Sequence, residues 1–91
     1  MTSAAVPGSP QEAIDLVLAH MRAALDDPSF GAEDDFFKRG GDSILAVQVV
    51  TDLERVTGRM LPIAYVYSSP TAAELGAIFA EFFAADDHAP A

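Results

Sequence analysis

Gly40-Gly41-Asp42-Ser43-Ile44-Leu45-Ala46-Val47-Gln48-Val49-Val50-Thr51-Asp52-Leu53-Glu54-Arg55-Val56-Thr57-Gly58 sets a glycine pair and a polar pair ahead of a nearly unbroken apolar run. Asp42 or Ser43 can supply an N-cap oxygen, and Gly58 suits the left-handed residue that ends a helix, so a helix running through Val56 is predicted. Between Ile44 and Val50 only Gln48 is polar, which makes this helix apolar nearly all round. Ala46, Val49, Val50, Leu53 and Val56 fall on one face at helical spacing, and Ile44, Val47 and Thr51 fall on another. The first face is expected to serve the core and the second to face out.

Working outward, Ser9-Pro10-Gln11-Glu12 reads as a capping box with proline at the first helical position. Ile14, Val17, Leu18, Met21 and Leu25 follow as one apolar stripe, predicting a helix to about residue 25. Residues 26–42 hold Pro28, Gly31 and the glycine pair, a long loop with Phe36 and Phe37 as its expected anchors. Beyond Gly58, Leu61-Pro62-Ile63 with Val66 and Tyr67 suits a short helix or a short strand, and a helix of one or two turns is favoured. Thr71-Ala72-Ala73-Glu74 is a second capping box, and Leu75, Ile78, Phe79 and Phe82 carry a last helix to about Phe83. An all-α, four-helix bundle is expected over residues 9–83, with flexible tails at 1–8 and 84–91.

Composition narrows the function. Ninety-one residues with 51% hydrophobic content suit one small domain with a single core. The balance of 5 Lys+Arg against 14 Asp+Glu gives −9, which disfavours nucleic acid and anionic membranes and steers the chain toward basic patches on other proteins. There is no cysteine, so disulfides, thiolate metal sites and cysteine catalysis are ruled out, and any thiol in use comes from outside. No leader and no long apolar span stand out, so a soluble, cytoplasmic monomer is expected.

Ser43 is the candidate site. The glycine pair leaves its hydroxyl open to a large enzyme, and the free N–H groups of a helix start favour an anionic group such as a phosphodiester on that oxygen. A serine before an apolar helix also serves commonly as a plain N-cap. Self-contained hydrolysis is not expected, because only His20 and His88 could act as an imidazole base and the G-x-S-x-G elbow is absent. Those distant histidines make a poor zinc site, and the acidic pairs lack a calcium-loop pattern, so no metal site is predicted.

Asp35-Phe36-Phe37-x-x-Gly40-Gly41-Asp42-Ser43-Ile44 resembles the phosphopantetheine attachment motif of carrier proteins, and its GGDS-I form is similar to the peptidyl carrier (thiolation) domains of nonribosomal peptide synthetases. Leu45-Ala46-Val47-Gln48, Leu61-Pro62 and Pro70-Thr71-Ala72-Ala73-Glu74-Leu75 extend the resemblance over roughly residues 10–83. The resemblance implies an acyl-carrier-type bundle whose Ser43 receives a 4'-phosphopantetheine arm, derived from coenzyme A, from a phosphopantetheinyl transferase. The arm's thiol would then hold an aminoacyl or peptidyl group, loaded by an adenylating enzyme and presented to condensation, tailoring or thioesterase-type enzymes. The chain would be no enzyme itself.

By the same resemblance, Asp42 helps the transferase engage the site, Gly40 and Gly41 keep the approach open, and Ile44, Val47 and Thr51 meet partners. Phe36 and Phe37 pin the loop beneath the site. A free-standing carrier of peptide-antibiotic type is the expectation, with an acyl or aryl carrier of polyketide or siderophore type as the alternative. An unmodified helical interaction module, in which Ser43 only caps a helix, is the alternative of another class. Two positions depart from the family pattern. Lys38-Arg39 replaces an acidic or polar residue followed by Leu, and these read as solvated loop charges; Tyr67 replaces Phe, which calls for a hydrogen-bond partner if its hydroxyl is buried.

Overall fold

Helix α1 (Pro10–Leu25) begins where Ser9 accepts the Glu12 N–H on its Oγ at 3.2 Å, while the Glu12 carboxylate accepts the N–H of Gly8 at 2.6 Å. The expected capping box is therefore closed one residue upstream of its usual partner. The helix ends at Asp26 in the left-handed region, φ 52°, a conformation that a short polar side chain tolerates. A computed structural model describes residues 7–87, with side chains through residue 83. Most of the two expected tails lies outside the described residues.

After α1, a loop leads to α2 (Ser43–Thr57), then come the short α3 (Ala64–Ser68) and α4 (Ala72–Asp87), with no strand among the described residues. α1 packs mainly along α4 and secondarily on α2. The close approach of α1 and α4 depends on Gly76, where a Cβ would stand 2.8 Å from the backbone nitrogen of Ile14. α4 continues to Asp87, four residues past the end expected at Phe83. Ala84-Ala85 are strong helix formers, and neither glycine nor proline interrupts the chain there.

The core draws Val17 and Met21 from α1, Ala46, Val49 and Leu53 from α2, Val66 from α3, and Leu75 and Phe79 from α4, all fully buried. Ile14, Leu18 and Leu25, expected in the α1 stripe, are only half-buried, and Ala13 joins Val17 and Met21 as a buried residue of α1. On α4 the buried line is Ala72, Leu75, Phe79 and Phe83, with Ile78 and Phe82 half-buried beside it. Among the described residues Thr57 is the buried polar one; its Oγ1 donates to Leu53 O at 2.6 Å and accepts the Arg59 N–H at 3.2 Å, so its hydroxyl is not stranded.

α3 has five residues and no side-chain cap, too little to stand alone. Packing holds it: Val66 is buried, the Tyr67 ring stacks on Phe37 at 5.0 Å, and Tyr65 meets Phe82 edge-on at 5.8 Å. Tyr67 is 49% exposed, so the departure from phenylalanine buries no hydroxyl. The loop between α1 and α2 carries its own anchors, Phe30 and Phe36, both fully buried and in edge-to-face contact at 6.4 Å. Burying each of these rings contributes about 1.5–3 kcal/mol. Phe37, expected beside Phe36 as an anchor, is half-buried between the Phe36 edge and Tyr67.

Candidate functional site

The loop is tied down before it reaches the glycines. The Phe36 N–H donates to Pro70 O at 2.9 Å and the Ala73 N–H to Ala32 O at 3.0 Å, which latch the loop to the start of α4. There Thr71 accepts the Glu74 N–H at 3.2 Å, as its capping position requires. Asp35 closes the next turn: its Oδ1 accepts the N–H groups of Phe37 and Lys38 at 2.9 and 3.1 Å, and its carbonyl accepts the Arg39 N–H at 3.0 Å.

The two glycines answer different needs. Gly40 has φ 110° with open space where a Cβ would point, so backbone conformation alone selects it. Gly41 does not need a positive φ. A Cβ at Gly41 would collide with the ring of Phe36 and stand 2.7 Å from the Phe36 carbonyl oxygen, which already accepts the Gly41 N–H at 2.9 Å. The pair therefore draws the chain tightly over the buried ring and turns it into α2.

Asp42 caps α2. Its Oδ1 accepts the Leu45 N–H at 2.9 Å, and its carbonyl accepts the Ala46 N–H at 2.9 Å. Of the two cap candidates in the sequence, the structure uses Asp42, which corrects the reading of Ser43 as a plain N-cap. Ser43 is instead the first helical residue, exposed, and its hydroxyl makes no hydrogen bond among the described residues. The N–H groups of Ser43 and Ile44 precede the first intrahelical bond and remain free for an anion. Among the described residues no imidazole or carboxylate is hydrogen-bonded to the hydroxyl.

The second face of α2 stands open beside Ser43: Ile44 is 75% and Val47 50% exposed, and Thr51 lies in the same exposed row. The structure thus brings Gly40, Gly41, Asp42 and Ser43 together at the end of the loop and sets Ile44, Val47 and Thr51 down one flank. Among the described residues no group of three potential ligands is close enough to hold a metal ion, and no helix is long and apolar enough to cross a membrane.

Lys38 and Arg39 behave differently from each other. Lys38 is exposed, as expected of a solvated charge. Arg39 is not simply solvated: it reaches back to Asp27 and Asp34 at 2.7 and 2.8 Å and lies over the Phe30 ring at 5.8 Å. Sequence reasoning missed this contact, the burial of Phe30 and the turn closed by Asp35. Only the last had a local signal, an aspartate two residues ahead of the N–H it receives.

Residues 15–79 match the family model described as "Phosphopantetheine attachment site". The chain belongs to that family. An exposed hydroxyl, relieved of capping by its neighbour and approached over two glycines, fits the covalent 4'-phosphopantetheine that this family carries.

The carrier domain is 33% identical over 64 residues, 69% of its length, to N-(5-amino-5-carboxypentanoyl)-L-cysteinyl-D-valine synthase of Amycolatopsis lactamdurans. It is 35% identical over 80 residues, 87% of its length, to malpibaldin synthetase of Mortierella alpina. It spans 2% and 1% of those two proteins, so it matches a small portion of each. Its fold is that of BlmI, a type-II acyl carrier protein from Streptomyces verticillus involved in bleomycin biosynthesis, with a TM-score of 0.76 at 22% identity, covering 81% of this chain and 89% of that one.

Proposed function

We propose that Ser43 Oγ is the attachment atom, and that the arm it bears holds an aminoacyl or peptidyl group as a thioester for enzymes of nonribosomal peptide assembly. The observation that carries the reading is the division of labour at the start of α2: Asp42 caps the helix and Ser43 Oγ is left exposed and unbonded. In modification the Ser43 hydroxyl loses its proton and attacks the pantetheine-side phosphorus of coenzyme A; the pyrophosphate P–O bond breaks, 3',5'-adenosine bisphosphate leaves, and a Ser43 phosphodiester is formed. The transferase provides the base, since no described residue of this chain aims one at Ser43. The arm supplies the thiol that a chain without cysteine lacks.

The chain's own residues present and support that oxygen. Gly40 and Gly41 leave no side chain over it, and the free N–H groups of α2 favour the diester's negative charge. Asp42 engages Leu45 through one carboxylate oxygen, which leaves the other for the transferase or its metal ion. Ile44, Val47 and Thr51 form the flank on which the transferase, the adenylating enzyme and later enzymes dock, a reading supported by large apolar side chains left in water beside the site. The synthetases similar to this domain support an amino-acid-derived cargo.

Incubation with coenzyme A and a promiscuous phosphopantetheinyl transferase is expected to add one phosphopantetheine mass to the wild type and none to Ser43→Ala. A wild type that gains nothing beside a modified control carrier would return the chain to an unmodified interaction module. Loading by a panel of adenylating enzymes then separates amino-acid from acyl or aryl cargo.

A further inference from the structure

Arg39 is the last residue before the glycine pair, and its guanidinium spans the loop it ends. Nη1 donates to Asp34 Oδ2 at 2.8 Å; Nη2 donates to Asp27 Oδ2 at 2.7 Å and to Ser29 Oγ at 3.2 Å. The pair with Asp27 joins residues twelve apart. Both carboxylates are already engaged with the loop backbone: Asp34 accepts the Gly31 N–H at 2.7 Å, and Asp27 accepts the Ser29 N–H at 3.0 Å. Arg22 of α1 reaches the same residue, donating from Nε to Phe30 O at 2.6 Å, while the Arg39 guanidinium lies over the Phe30 ring. A planar fork with donors diverging to two carboxylates and a face left for an aromatic ring is a geometry that lysine does not reproduce.

We infer that Arg39 is a positioning residue: by clasping Asp27 and Asp34 it holds the loop in the form that delivers Gly40-Gly41-Asp42-Ser43 ready-made to the modifying enzyme. The inference rests on Ser43 being the attachment site. Exposed ion pairs taken singly add little to global stability, but a network lying on the Phe30 ring adds restraint between the buried anchors Phe30 and Phe36, on the stretch of loop that leads into the glycine pair. A loop that must be ordered on encounter weakens binding of the transferase and leaves the chemical step unchanged, because the ordering cost is met before phosphoryl transfer.

The test measures phosphopantetheinylation kinetics with coenzyme A saturating and the carrier varied, for wild type, Arg39→Ala, Arg39→Lys, Asp27→Asn/Asp34→Asn and the Arg39→Ala triple variant. Helical circular dichroism confirms that each is folded, and the double variant keeps the test open should Arg39→Ala fold poorly. Arg39→Ala, Arg39→Lys and the double variant are each expected to raise KM roughly fivefold with kcat nearly unchanged, and the triple variant to be no worse than Arg39→Ala. Hydrogen exchange at the Gly31 and Gly41 amides is expected to quicken in the same variants. Wild-type KM in the double variant alongside an impaired Arg39→Ala would overturn the clasp and make Arg39 a direct enzyme contact. Wild-type KM throughout would reduce the network to a surface feature. A wild type that accepts no arm beside a modified control defeats the Ser43 reading and the positioning role together, an outcome distinct from both of these.

Discussion

The Cβ that Gly41 lacks would collide with the Cδ2–Cε2 edge of the Phe36 ring, so the last bend before the helix bearing Ser43 rests directly on a buried aromatic side chain. Gly41→Ala must push back the loop backbone or tilt a ring locked against Phe30. It is expected to destabilise the protein by about 1–3 kcal/mol, as overpacking does. In a Phe36→Leu background the cost of the same alanine should fall in part, since the Phe36 carbonyl oxygen 2.7 Å from the added Cβ stays in place, read as a coupling energy from urea titrations. Equal costs in the two backgrounds would show that the ring is not what excludes a side chain. Gly40→Ala meets no atom and should cost about 1–2 kcal/mol through its backbone conformation in either background.

Asp42 and Ser43 can be separated by asking which one the helix misses. Asp42→Ala removes the acceptor of the Leu45 N–H and is expected to cost about 1 kcal/mol, whereas Ser43→Ala, with no hydrogen bond to lose, should stay within about 0.5 kcal/mol of wild type. Asp42→Asn preserves capping and removes the charge, so its melting temperature should match wild type while its rate of phosphopantetheinylation falls. An unimpaired rate in Asp42→Asn would confine Asp42 to capping.

Val47→Asp tests the open flank of α2. The side chain is half exposed, so the variant should keep its helical circular dichroism while transfer of an aminoacyl group to the arm by the partner adenylating enzyme drops. Val49→Asp, two residues on and fully buried, should unfold the domain, because a carboxylate enters the core without a partner. A Val47→Asp variant that unfolds as readily would place that residue in the core instead.

Asp27 is expected to add acid sensitivity to the loop. Hydrogen bonds from the Ser29 hydroxyl and N–H, supported by Arg39, hold its carboxyl below its ordinary value of 3.8. Because the folded value is the lower one, the stabilisation is fully present above about pH 4 and is lost as pH falls through the folded value. Asp27→Asn should therefore flatten the stability profile below that pH and leave its shape near neutrality unchanged, as followed by urea midpoints. An unaltered acid limb would remove Asp27 from that role.

Much of the architecture was legible because its signals are local. Capping at Ser9 and Thr71, the stop at Gly58 and the apolar faces of α2 each depend on residues within a few positions of one another, and backbone geometry at that range leaves few options. The exposed row of Ile44, Val47 and Thr51 followed from the same periodicity, since a helix apolar on two faces in a domain this small can bury only one.

The chain alone thus determined its three long helices, its attachment motif and its open flank, while packing settled α3 as a helix and not a strand. The tertiary fold decided that Asp42 and not Ser43 caps α2, that Phe30 enters the core, that Gly41 must be bare because Phe36 lies under it, and that Arg39 binds Asp27 and Asp34. The cap is a local choice between two neighbours that the sequence left open. The burial of Phe30 and the reach of Arg39 to Asp27 instead require a long loop to be folded back and latched to α4, a closure that leaves no periodic or capping trace in the sequence.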